Sequence, residues 1–371
     1  YSRIDRTRTS MNGYKAIAGF ERRSGRHWLW DTEITAISPG LETNDIGRTL
    51  SGDGLRHIFT LRYRETQPGT LLRAYTLGFN VNNEWTYDKD HIVRLFRPSV
   101  ALTFKNFWAL SAVVSRNLRV LDPALTRGGP LMQRPASWTA TASLTNAAAS
   151  QTRWSASATA ISNEDGGHVR RASALFSFRP SPRWQLSLEP ALDRTSDVQQ
   201  YITTVSGGRL ESYGQRYVFS TVDRTTLSSE IRAGFTLRPD LNIDVYAEPF
   251  APSGRYSRFG ELIRGGARER IDYGSSGTSI ERDSSGEWIV RAGGTEFRVR
   301  NPDFAVKSLR SNVVLRWEWR PGSTLYLVWQ QNHERRDAAA ARTGVGDLFR
   351  AFAVPGQTVL AVKSSFWLPI R

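Results

Sequence analysis

Cysteine is absent, and the 371 residues include only five histidines, two methionines and five lysines. Without cysteine the chain can form no disulfide, thiolate nucleophile, zinc finger or iron–sulfur cluster. The histidines (His27, His57, His91, His168 and His333) never fall within four residues of one another, so there is no local His-x-x-x-His metal site. Long apolar runs are also missing. The longest uncharged stretch, residues 135–152, is half Ser, Thr, Asn or Gln. No segment supplies the ~18 consecutive apolar residues of a membrane helix. The sequence opens at Tyr1 with neither Met nor a signal peptide, which suggests a mature form or a fragment.

Positive charge is plentiful. Lys plus Arg total 50 against 35 Asp plus Glu, a formal +15. Such a balance ordinarily suggests nucleic acid. Here nearly every cation is an arginine, spread along the whole chain and alternating with apolar residues rather than concentrated in one arm. No nucleic-acid partner is expected.

The informative signal has a period of two. Leu309, Ser311, Val313, Leu315, Trp317 and Trp319 share one face; Arg310, Asn312, Val314, Arg316 and Glu318 share the other. Arg320-Pro321-Gly322 turns the chain, and Leu325, Leu327 and Trp329 continue the apolar face against Thr324, Tyr326, Val328 and Gln330. This is a β-hairpin with one apolar face. The pattern recurs in fifteen segments: 14–22, 27–36, 55–66, 71–82, 97–105, 107–116, 136–146, 152–162, 170–179, 183–193, 226–238, 241–250, 306–320, 323–334 and 357–370. A further hairpin is expected at 198–206 and 215–222. Helical periodicity is lacking; the run Ala338–Ala341 is the best helical candidate.

A soluble sandwich alternates in the same way, but three features favour a membrane barrel. The segments run to ~10 residues, a bilayer-crossing length rather than the usual ~5–6. Short links (23–26, 67–70, 105–107, 179–183, 238–240, 320–323) alternate with long ones (38–54, 83–96, 116–135, 251–306, 331–355). Trp28, Trp30, Trp184, Trp317, Trp319, Trp329 and Trp367 fall near segment ends, as in an interfacial girdle. The expected fold is all-β: a transmembrane, antiparallel, up-and-down outer-membrane β-barrel of about 16 strands, with a range of roughly 14–18. A closed bacterial barrel has an even strand count with both termini periplasmic. At least one strand is therefore expected before residue 14, from residues 3–10 or from a longer chain. Residues 1–371 read as a single barrel domain lacking its first strand or strands and an N-terminal periplasmic or secreted domain.

Several segments resemble one bacterial family. They are Thr126-Arg127-Gly128-Gly129-Pro130-Leu131 with Arg134-Pro135-Ala136-Ser137-Trp138, Asn301-Pro302-Asp303-Phe304, and the long run Lys307 to Gln331. Asn44-Asp45-Ile46-Gly47, Tyr63-Arg64-Glu65-Thr66, Arg216-Tyr217-Val218-Phe219 and Val245-Tyr246-Ala247-Glu248-Pro249-Phe250 extend the match in family order. The family is domain of unknown function 5916. The resemblance implies a secreted protein with an N-terminal domain similar to carbohydrate-binding family 9, absent here, followed by an outer-membrane barrel. It implies no activity. The partners expected are the outer-membrane bilayer and glycans reached through the missing domain; no cofactor or metal is expected.

Function reads as a channel or an export/display barrel linked to carbohydrate binding or uptake. The alternatives are an outer-membrane hydrolase of glycans or lipids and a soluble, basic, β-rich binding protein. Thr126, Arg127, Gly128, Gly129 and Pro130 form a loop motif that either folds inward to narrow a lumen or hold a ligand, or makes a structural tight reversal, the reversal being favoured. Arg62, Arg64, Glu189, Glu230, Arg232, Arg238, Asp244, Glu248, Arg316 and Glu318 are candidate lumen charges, either an anion-selecting constriction or a salt-bridged filling. Their mixed signs favour the filling. His91, His168 and His333 are read in loops near Asp88, Asp90, Asp165 and Asp337, with a solvated-loop role favoured over acid–base catalysis. Within 251–306, Gly293-Gly294 between two short apolar runs suggests a small projecting hairpin, the segment reading either as a surface-recognition loop or equally as a plain mobile loop.

Overall fold

The computed structural model describes residues 12–41, 53–337 and 342–368. Strands follow one another as β1 (Lys15–Arg22), β2 (Trp28–Ile37), β3 (Gly54–Glu65), β4 (Leu72–Trp85), β5 (His91–Phe104) and β6 (Ala109–Asn117). Two short strands, β7 (Val120–Asp122) and β8 (Met132–Arg134), pair with each other before β9 (Ser137–Thr145), β10 (Thr152–Asn163), β11 (His168–Ser181), β12 (Trp184–Ser206), β13 (Gln215–Arg238) and β14 (Leu241–Leu262). Next come β15 (Arg270–Asp272), the small three-stranded sheet of β16 (Ser279–Arg282), β17 (Trp288–Ala292) and β18 (Thr295–Val299), then β19 (Phe304–Arg320), β20 (Ser323–Asp337), the single described α-helix α1 (Val345–Arg350) and β21 (Gly356–Ser365). Ala338–Ala341 and residues 3–10 lie outside the described residues.

One antiparallel sheet of 16 strands dominates. Fifteen of them pair in the order β1-β2-β3-β4-β5-β6-β9-β10-β11-β12-β13-β14-β19-β20-β21, and β15 joins the far end of β14. These fifteen correspond one for one to the periodic segments. Among the described residues β1 pairs only with β2 and β21 only with β20, and both are exposed throughout.

One end of the sheet carries the tight turns. Pro182-Arg183, Pro239-Asp240 and Pro321-Gly322 each join two strands. Proline presets the first turn position, and Gly322 adopts a φ of +78°, which a side chain would strain. Aromatic rings line this end: Trp28 against Tyr63, Trp108 against Trp154, and Trp184 against Phe235 in edge-to-face contact. Trp329 does not join them. It lies in the middle of β20, six residues from the turn end at Ser323.

The opposite end departs from the periodic reading. Residues 198–206 and 215–222 are not a separate hairpin but the outer halves of β12 and β13, which are 23 and 24 residues long. Residues 251–262 likewise extend β14, and the link between β4 and β5 shrinks to residues 86–90. Pro252, Gly254 and Gly260 look like strand breakers. The strand absorbs them with a bulge at Arg258, whose φ is +52°. At ~3.3 Å per residue, β13 spans about 80 Å. The predicted small hairpin is present as β17–β18, with Gly293 and Gly294 at φ +54° and +74°.

Pairing register carries the apolar positions into one continuous face. Val313, Leu315 and Trp317 on β19 oppose Trp329, Leu327 and Leu325 on β20 and Val245, Ile243 and Leu241 on β14. Ser, Thr and charged residues occupy the other face, where Ser111–Ser143, Thr141–Thr159 and Ser157–Ser173 are bonded across strands. The apolar face is not covered: Phe176, Trp184, Leu188 and Trp329 are exposed. The two buried hydrophobic clusters lie instead in the extended end. Val218, Phe259, Tyr273, Val290 and Val299 pack one side of the β13–β14 ribbon against β16–β18, and Tyr217, Phe219, Leu262 and Met132 pack the other. Adjacent residues of β13 thus serve opposite sides, as strand alternation requires.

Candidate functional site

The predicted lumen charges occupy the polar face, though most pair locally. Arg62 donates to Asp31 at 2.8 Å, Arg232 to Glu230, and Arg316 to Glu318 at 3.2 Å. Tyr246 donates to Glu248 at 2.8 Å while the Arg232 guanidinium lies 5.0 Å from the Tyr246 ring centre. Arg238 sits at a tight turn, 3.5 Å from Asp240. Glu189 directly opposes Glu230 across β12 and β13, and Asp244 opposes Gly234. Arg64 pairs in register with Thr76. These groups form several small clusters along the sheet rather than one constellation.

The Thr126–Pro130 motif lies in the extended end and packs against the ribbon. Thr126 is buried, and its Oγ1 donates to the Pro130 carbonyl at 2.7 Å, closing the loop on itself. Arg127 (φ +52°) and Gly128 (φ +102°) make the reversal. Arg127 then places its guanidinium 4.7 Å from the Tyr201 ring centre. A Cβ on Gly129 would meet the Tyr217 ring at 2.3 Å, so only glycine lets the loop seat there. Gly266 N–H donates to the Leu131 carbonyl at 2.7 Å, and Gln133 N–H to Ala267 at 3.0 Å, fastening the motif to the segment after β14.

A buried ion pair holds the other side. Arg216 donates twice through Nη1 to Glu261, at 2.8 and 2.6 Å, and through Nη2 to the Ala292 carbonyl at 3.0 Å. Tyr273 donates to the same carboxylate at 3.0 Å. Both charged side chains are only 7% exposed. Burial beside this carboxylate pushes the Tyr273 phenol far above its ordinary pKa. The group joins β13, β14, β17 and the chain after β15. Periodicity could not find it, because its members are polar residues at core positions far apart in sequence.

Glu164, in the β10–β11 link, joins three further segments. It accepts two bonds from Arg119 at 2.6 Å, one from Arg268, and one from Ala136 N–H at 2.9 Å. These partners hold its carboxyl at about 2, against an ordinary value near 4.5. A groove of about 560 Å³ opens beside this end, lined by Tyr201, Tyr256, Arg298, Arg300, Asn301 and Asp303. Asp303 is turned to structure there, accepting Tyr256 N–H at 2.7 Å.

The three histidines read as loop residues stand in strands: His91 opens β5, His168 opens β11, and His333 lies within β20. β5 and β11 begin earlier than the alternation indicated, whereas His333 falls within the periodic segment 323–334. His91 Nε2 accepts from Trp85 Nε1 at 2.6 Å, His168 Nδ1 lies 3.3 Å from the Gly166 carbonyl, and His333 Nε2 lies 3.4 Å from Thr358 Oγ1. Each is thus engaged by a group other than a carboxylate. Among the described residues no cluster of His, Asp and Glu could hold a metal ion.

A family model described as domain of unknown function (DUF5916) matches residues 1–370, and the chain belongs to that family. No curated protein matches it.

Proposed function

We propose that this DUF5916 chain is an outer-membrane β-barrel with its apolar face toward lipid and its polar face around a lumen, serving as a channel or an export/display barrel. The observation that carries the reading is the uncovered apolar face. In a soluble sheet such a face is buried by a second layer. Here the buried clusters are confined to the extended end. From β2 to β20, between the aromatic end and a border row at Arg94, Arg116, Arg170, Arg194, Lys307 and Arg335, this face carries no Asp, Glu, Lys or Arg among the described residues. On β12 the band runs from Trp184 to Arg194, about 33 Å along the strand. At a ~40° tilt that is about 25 Å across, the height of a barrel's apolar belt.

Strand parity is compatible with a closed barrel. β1 and β21 both run toward the tight-turn end, so one further strand, antiparallel to both, would join their free edges. The export/display reading draws on the β12–β14 ribbon, which would stand beyond the membrane with its own core.

The test is refolding into phosphatidylcholine vesicles followed by single-channel recording. Insertion with stable open steps is expected for a water-filled lumen. A chain that stays folded and monomeric in buffer without detergent refutes the membrane reading.

A further inference from the structure

We propose that the cationic border of the apolar face, centred on Arg170 and Arg194, binds the phosphate groups of a membrane lipid; this rests on the barrel reading above. Arg170 and Arg194 stand directly opposite each other on β11 and β12. Both are exposed. Like charges in that position repel. Neither has a carboxylate partner within salt-bridge distance among the described residues; Arg170 donates instead to the Ile161 and Val169 carbonyls, each at 3.1 Å. One step further from the band, register aligns Arg116, Trp138, Ser162 and His168 across β6, β9, β10 and β11. Arg116 lies 5.0 Å from the centre of the exposed Trp138 ring. Tryptophan with arginine at the edge of an apolar belt suits the headgroup region.

The β19–β20 part of the border differs. Lys307 is engaged by Asp337 and Asp347, and Arg335 by Asp337. The carboxylate following Arg194's row on this face, Asp223, stands opposite Arg255. Unmatched positive charge therefore runs along the border from β5 to β12, and only at β11–β12 do two such cations stand directly opposite each other, facing the same side as the apolar band. A guanidinium pair held this way can grip a phosphate bidentately. The acyl chains of the same molecule would lie along Ala172, Ala174 and Leu192 just below. Continuity with an apolar surface is what selects a lipid over a soluble phosphate.

The full chain is refolded in detergent micelles and titrated with fluorescent bisphosphorylated lipid A, comparing wild type, R170Q/R194Q, R170K/R194K and R97Q, the last removing a cation from the polar face. Wild type and R97Q should bind alike, and the lysine variant should keep the charge attraction but bind more weakly than wild type, since an ammonium cannot make the bidentate contact. R170Q/R194Q should bind roughly thirtyfold more weakly, the loss expected for two membrane-surface cations. Inorganic phosphate should not displace the lipid. Equal affinity in R170Q/R194Q and R97Q would overturn the site, and displacement by free phosphate would reassign it to a soluble anion. Failure of wild type to insert into phosphatidylcholine vesicles would remove the barrel reading itself, so the two failures are told apart.

Discussion

Replacing Glu261 with alanine should open the extended end of the sheet while leaving the rest intact. The carboxylate accepts two bonds from Arg216 and one from Tyr273, at 2.6–3.0 Å, in a site where both charges are 7% exposed. Its removal leaves Arg216 buried with the Ala292 carbonyl alone and a side chain whose Nε already lacks a partner. An uncompensated buried charge of this kind costs about 3–5 kcal/mol. Replacing both partners by apolar residues of similar size, as in R216M/E261L, should cost far less and could stabilise, because both desolvation penalties vanish together. Hydrogen exchange in detergent, resolved by peptide, is the suitable assay, since sub-global opening of one region is read separately from the rest. Peptides covering 215–220, 259–262 and 288–299 should lose about 3–5 kcal/mol of protection in E261A, while β19 and β20 stay unchanged. The reasoning fails if E261A changes protection by less than about 0.5 kcal/mol, or if the double replacement is as damaging as the single one.

Gly129→Ala should loosen the Thr126–Pro130 loop by about 1–3 kcal/mol, because its Cβ would enter the Tyr217 ring; faster proteolysis within 118–136 is the readout. Leu315→Arg, on the apolar face, should cost about 2–4 kcal/mol of folding stability in vesicles, whereas Asn312→Arg on the polar face should be tolerated; denaturant titration of both checks the assignment of faces. Glu164 has a folded-state pKa lowered to about 2. A depressed carboxylate contributes stability above its unfolded pKa and loses it as pH falls through the folded value. Docking of the 118–136 and 263–269 segments should therefore weaken between about pH 4.5 and pH 2, and E164Q should flatten that dependence in a pH series of protease sensitivity.

Alternation along the chain is enough to define the strands and their two faces. Alternation is a local property, so Leu309 to Trp319 declares a half-apolar strand before any partner is known, and Pro321-Gly322 declares the turn that follows. The same logic legibly placed fifteen strands in order and the small Gly293-Gly294 hairpin. It could not show where β12, β13 and β14 end. Beyond residues 197 and 250 the pattern is broken by bulges and by proline and glycine, and only pairing with a neighbour shows that the strands continue. Nor could it match Arg216 with Glu261, 45 residues away, or seat Gly129 on Tyr217, since those contacts exist only once the ribbon is covered on both sides. The row of Arg170 and Arg194 is intermediate: each is visible in its own strand, but their opposition is a matter of register. Periodicity reports which face a residue takes; it carries no information on which residue stands across from it, and that is set by the long-range pairing of the folded sheet.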